Sequence, residues 1–104
     1  MLRIHDVMLE AIRMMRPLLA AIERRDRDLS TQLRRAASSV VLNIAEGSGS
    51  FGGIRTQRYR TALGSARESV SCLRVAEAFG YIEGIPAALQ AALDAVVGTL
   101  VRVT

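Results

Sequence analysis

Arg60, Arg67 and Arg74 recur every seven residues within one apolar-periodic segment. On a helix, seven residues make nearly two turns, so all three project from one side and span about 21 Å. Gly64, Ser71 and Ala78 fall on adjoining turns. Guanidinium groups separated by small residues could let a phosphate backbone approach closely, which is sequence-independent chemistry. The competing reading is a solvated ridge paired with acids, such as Glu77 against Arg74, or a surface packed on a neighbouring subunit. Stacking aromatics are missing from this stripe, which speaks against sequence-specific reading of single strands.

Catalytic chemistry finds little to work with. His5 is the only histidine and Cys72 the only cysteine. One of each cannot make a structural zinc site, and no paired His spacing exists for another metal. Cys72 falls near a core stripe, where a buried, inert thiol is expected. The run Gly47–Gly53, GSGSFGG, superficially resembles a phosphate loop. It follows a helix rather than a strand and no Lys-Ser/Thr comes after it, so it reads as a linker. Asn43, Glu46 and Glu68 could join Arg34 or Arg58 in a partly buried network that fixes helix register. No cofactor, metal or catalytic residue is expected. Leu42 is a different kind of signal. It projects about 180° from Leu33 at 100° per residue, beside Arg35, Ser39 and Glu46, and suggests contact with another copy of the chain.

Four helical segments must position these residues. The first covers about Ile4 to Arg25, with an apolar arc of roughly 160° made by Ile4, Val7, Met8, Ala11, Met14, Met15, Leu18, Leu19 and Ile22. Pro17 lies inside it and predicts a kink or short break. The stripe continues in phase beyond it, so one bent helix is expected. The second helix opens with Ser30 as N-cap, or slightly earlier at Leu29, and runs to about Glu46, with Leu33, Ala37, Val40 and Ile44 inward and Gly47 as the C-terminal stop. The third covers Ile54 to Phe79, with a seam of Tyr59, Leu63, Ala66, Val70 and Leu73, and Gly80 ends it. The fourth opens at Pro86, in its first turn, and buries Leu89, Leu93, Val96, Leu100 and Val103. Short connections make successive helices antiparallel neighbours, so the expected fold is a single all-α domain over residues 1–104, an antiparallel up-down four-helix bundle.

Bulk composition agrees. The 104 residues are 50% hydrophobic with only four aromatic side chains, which suits helix packing better than a sandwich of sheets. The formal charge is +4, and all the basic residues are arginine, the better phosphate fork. Base composition of the gene explains arginine-only usage more readily than phosphate recognition does, and a net charge of this size permits an acidic partner without requiring one. His5, Asp6 and Glu10 interrupt the N-terminal region. No signal peptide or membrane span is therefore expected, and the default location is the cytoplasm.

Ser30-Thr31-Gln32-Leu33-Arg34-Arg35-Ala36-Ala37, followed by Asn43-Ile44-Ala45-Glu46-Gly47, resembles the core signature of the four-helix-bundle proteins encoded in 23S ribosomal RNA intervening sequences. Ala62-Leu63-Gly64-Ser65 and Ala78-Phe79-Gly80-Tyr81-Ile82 look like that family's later motifs, so the likeness spans Leu29 to Ile82. Gln32, Arg34, Arg35, Asn43, Glu46 and Gly47 are its motif positions here. The resemblance implies a small bundle assembled as a ring-like homopentamer, with no catalytic residues to carry over. A related branch serves diversity-generating retroelements, which implies RNA or DNA and a reverse transcriptase as partners. The stretch Gly52–Arg58 departs from the family pattern, in which a more charged segment is common. Two functions stay open at this point: an oligomeric nucleic-acid-binding accessory, or a structural or adaptor oligomer with protein partners only.

Overall fold

The computed structural model describes residues 2–104, which form four α-helices: α1 (Leu2–Arg25), α2 (Arg27–Ser48), α3 (Gly52–Ala78) and α4 (Ala87–Val103). No strand occurs among the described residues. Each helix packs on two others, in the cyclic order α1, α2, α3, α4 and back to α1. The long dimension of 42 Å matches the longest helices, at 1.5 Å per residue.

Burial follows the apolar period. On α1, Ile4, Met8, Ala11, Met15 and Ile22 are buried, and Val7, Met14, Leu18 and Leu19 flank them half-buried. Pro17 does not divide the helix. It sits on the exposed side, where water can take up the carbonyl left without a donor.

Between α1 and α2 only Asp26 is non-helical. Its extended backbone (φ −156°, ψ 93°) and its carboxylate, which accepts from the Leu29 amide at 2.9 Å, make it the N-cap. The expected cap at Ser30 is corrected: Ser30 lies inside α2, fully buried, and its hydroxyl donates to Glu23 at 3.2 Å. Asp26 is the stronger candidate physically, because its charge also complements the helix N-terminus. It further accepts from the Tyr81 hydroxyl at 3.3 Å, which ties this turn to the connection between α3 and α4.

The far end of α2 differs from expectation too. The helix continues through Gly47 to Ser48, and Gly49 is the C-cap with an ordinary φ of −91°. Positive φ occurs instead at Gly52 and Gly80. The loop expected over Gly47–Gly53 shrinks to Gly49–Phe51. Gly47 is retained for space. A Cβ there would stand 2.4 Å from Cε1 of Tyr59, whose buried ring lies across it. Gly47→Ala is therefore expected to lower stability by about 2 kcal/mol, the overpacking cost exceeding the gain in helix propensity. A denaturant midpoint equal to wild type would contradict that account of Gly47.

The seam of α3 is built from small residues. Tyr59, Ala62, Ala66, Ser69, Leu73 and Ala76 are buried at alternating spacings of three and four, with Cys72 beside them. The expected seam members Leu63 and Val70 are only half-buried at its edge. Apolarity marked them, but close approach of α2 and α3 favours Ala and Ser over larger side chains. Ser69 meets its hydrogen-bonding need by donating to the Ser65 carbonyl at 2.9 Å. On α4, Leu89, Leu93, Val96 and Leu100 are buried. Val103 is exposed at the last turn, and Pro86 is the N-cap rather than part of the first turn.

Candidate nucleic-acid interface

Arg60, Arg67 and Arg74 are all exposed on α3. At 100° per residue their ridge lies roughly 130° around the helix from the centre of the buried edge. The opposite flank of α3 is the one that meets α2: Ser65 donates to Ser39 Oγ at 2.8 Å, and Glu68 accepts from Gln32 Nε2 at 3.3 Å. The ridge thus faces away from α2. None of its three guanidinium groups joins an ion pair among the described residues, and the Arg74–Glu77 pair offered by the competing reading is not formed. Gly64, Ser71 and Ala78 are exposed between the arginines. Nothing lies within 4 Å of where a Cβ on Gly64 would be, so approach from outside is unobstructed.

The family-motif residues sit on α2, and Gln32, Arg34 and Glu46 bond it to its neighbours. Arg34 bridges to Glu23 of α1 at 2.8 Å, and Arg58 of α3 bridges to Glu46 at 3.1 Å. Asn43 turns back to its own helix, donating to the Ser39 carbonyl at 2.9 Å and to Ser39 Oγ at 3.1 Å. The expected network is therefore divided into separate pairs on the rim. Their half-exposed charges add little stability, but they fix the register of α2 against both partners. Arg35 has no ion pair among the described residues and lines two shallow surface depressions of about 470 and 520 Å³.

The hydrogen bond and charge of Arg34, aided by the Ser30 hydroxyl, hold the Glu23 carboxyl below the usual carboxylate range. Its folded value is depressed, so the stabilisation it contributes is complete above the unfolded carboxylate range. It is lost as pH falls through the folded value. In an NMR titration Glu23 should protonate below the usual carboxylate range, and Arg34→Gln should return it to that range. A Glu23 curve unmoved by that substitution would refute the pairing.

Leu42 is 61% exposed, as its angular position required. It is not isolated. A concavity of about 250 Å³ between α1 and α2 is lined by Leu9, Ile12, Ser38, Val41 and Leu42. A second, of about 260 Å³, continues along Ile12, Met15 and Leu19 to Arg34. Leu9, Ile12 and Val41 went unnamed in the sequence reading. The width of the apolar arc on α1 pointed towards Ile12 and Leu9, which extend it on one side, while Val41 stands next to Leu42 on α2.

Cys72 is buried, and burial, with the nearby charge of Glu68, pushes its thiol up. That disfavours the reactive thiolate. Among the described residues no group of three His, Cys, Asp or Glu could hold a metal ion, and no helix is long and apolar enough to cross a membrane. A family model described as 23S rRNA-intervening sequence protein matches residues 6–100. No curated protein and no solved structure matches the chain.

Proposed function

The chain belongs to the 23S rRNA-intervening sequence protein family, and from that premise we propose a non-catalytic, oligomeric helical bundle that binds nucleic acid as an accessory factor. The observation that carries this reading is the alignment of three exposed arginines. Arg60, Arg67 and Arg74 line one side of α3 and, like most of the arginines, join no ion pair among the described residues, whereas Arg13, Arg34 and Arg58 are held by glutamates. Three charges on one subunit bind a phosphate backbone feebly. A ring repeats the ridge, and linked weak contacts gain through effective concentration.

In this reading the helices run alternately up and down. The trough of Leu9, Ile12, Val41 and Leu42 is covered by a second copy, and five copies close a ring in the cytoplasm. The partner is RNA or DNA, together with a reverse transcriptase or another enzyme acting on nucleic acid. The same trough also supports an adaptor oligomer with protein partners only, since an apolar channel between helices suits a third helix.

Light scattering on a sizing column tests assembly. The expected mass is several-fold above 11.3 kDa, with Leu42→Arg shifting it downward without loss of helix. A stable monomer at micromolar concentration would rule out the ring. Gel retention of labelled RNA and DNA at low salt separates the two functions: binding that tracks assembly supports the accessory, and no retention leaves the adaptor.

A further inference from the structure

The stretch between Glu46 and Glu68 contains no acidic residue, yet it holds Arg55, Arg58, Arg60 and Arg67. At its start stands the most exposed large apolar side chain of the described residues, Phe51, at 82%. Phe51 is the N-cap residue of α3 in extended conformation (φ −133°, ψ 156°), and its side chain caps nothing. The ring is nevertheless positioned. The Arg55 guanidinium lies 5.6 Å from its centroid, and Arg55 is itself anchored by donating from Nε to the Gly47 carbonyl at 3.2 Å. One face of the ring is thus taken by a cation and the other is open. Gly52 and Gly53 follow directly, and apart from their chain neighbours and the backbone of α3 nothing lies within 4 Å of where a Cβ on either would be. At 82% exposure the ring itself stands in solvent.

We propose that Phe51, backed by Arg55, is a stacking platform for an unpaired nucleobase, so that this end of α3 binds single-stranded nucleic acid. The inference rests on the nucleic-acid reading above and adds a contact that the arginine ridge lacks. A planar base fits the open face of an aromatic ring whose other face carries an arginine, and its flanking phosphates meet a segment without acids. A duplex keeps its bases stacked inside and offers this ring nothing. An anionic membrane is the other surface that an exposed aromatic with arginines could meet. It is disfavoured because Phe51 would have to carry the stacked, backbone-bonded Arg55 charge towards hydrocarbon.

The test is an anisotropy titration at fixed low salt. The probes are a labelled pyrimidine single strand of about 20 nucleotides and a blunt duplex of similar phosphate count. Phe51→Ala is expected to weaken single-strand binding about ten-fold while changing duplex binding by no more than about two-fold. Phe51→Trp should restore the affinity. Since the chain has no other Trp, its emission should be quenched by the single strand and not by the duplex. Circular dichroism checks that both variants fold. Equal single-strand binding by Phe51→Ala and wild type overturns this inference while leaving the ridge intact, and so does an equal loss on both probes. If wild type binds neither probe, the nucleic-acid reading falls and this inference with it. If Phe51→Ala loses binding only to phosphatidylserine vesicles, the residue serves a lipid surface and the inference is refuted.

Discussion

Leu33→Asp is expected to abolish cooperative folding. Leu33 is fully buried at the centre of the inward edge of α2, among Ala37, Val40 and Ile44. The substitution removes a large apolar side chain, worth about 2–5 kcal/mol in a packed core. It also introduces a carboxylate with no basic partner, which adds several kcal/mol more or forces the group to stay protonated. Together these losses rival the whole stability of a domain this size, about 5–15 kcal/mol. Nine residues further along the same helix, Leu42→Arg should leave the helical spectrum intact, because Leu42 points away from the core. The pair of variants is read by circular dichroism and thermal melting. A native-like melt for Leu33→Asp, or unfolding by Leu42→Arg, would mean that the inward face of α2 is wrongly assigned.

Helix content and facing were legible because both follow from periodicity. The 3.6-residue period placed Leu33, Val40, Ile44, Leu89, Leu93 and Leu100 inward, and all are fully buried. Helix ends were read less well. Ser30 and Gly47 carry the residue types of a cap and a stop, yet both lie inside α2, because burial claimed them first. Ser30 bonds Glu23 across to α1, and Gly47 makes room for the Tyr59 ring. Only three-dimensional neighbours reveal either role. The seam of α3 failed for a related reason: where two helices approach closely, Ala62 and Ser69 displace Leu63 and Val70. In the candidate site, the ridge of Arg60, Arg67 and Arg74 and the outward Leu42 were recoverable from angular position alone. The bridge from Arg58 to Glu46 was among the pairings the sequence offered, but the bonds from Arg34 to Glu23 and from Gln32 to Glu68 were not legible, since each joins two helices whose facing only packing reveals. Nor was the arginine behind Phe51, which depends on the short turn at Gly49–Phe51.

Replacing Arg60, Arg67 and Arg74 together with Gln should remove most nucleic-acid affinity while keeping fold and assembly. Gln preserves polarity and most of the side-chain length, and none of the three positions touches the core or an ion pair, so the loss reports charge. Each arginine that neutralises a phosphate releases counterions. The slope of log K against log salt therefore steepens by about 0.7 for each contact to a single strand and about 0.9 to a duplex. Removing three contacts from each engaged subunit should flatten the slope by about 2–3 for every subunit in contact and lower affinity at low salt by at least about a hundred-fold. Should binding persist in the triple variant, Arg35 and Arg55 are the next positions to replace, with Arg34 and Arg58 after them because glutamates already hold those two.

The most direct measurement is that salt titration, made on the wild-type oligomer and the triple Gln variant side by side with RNA and DNA of unrelated sequences. The account predicts binding with little sequence preference, steep salt dependence in the wild type, and a flattened, weak curve in the variant at unchanged helical spectrum and mass. Wild-type binding that is absent at low salt, or two curves of equal slope and affinity, would contradict it.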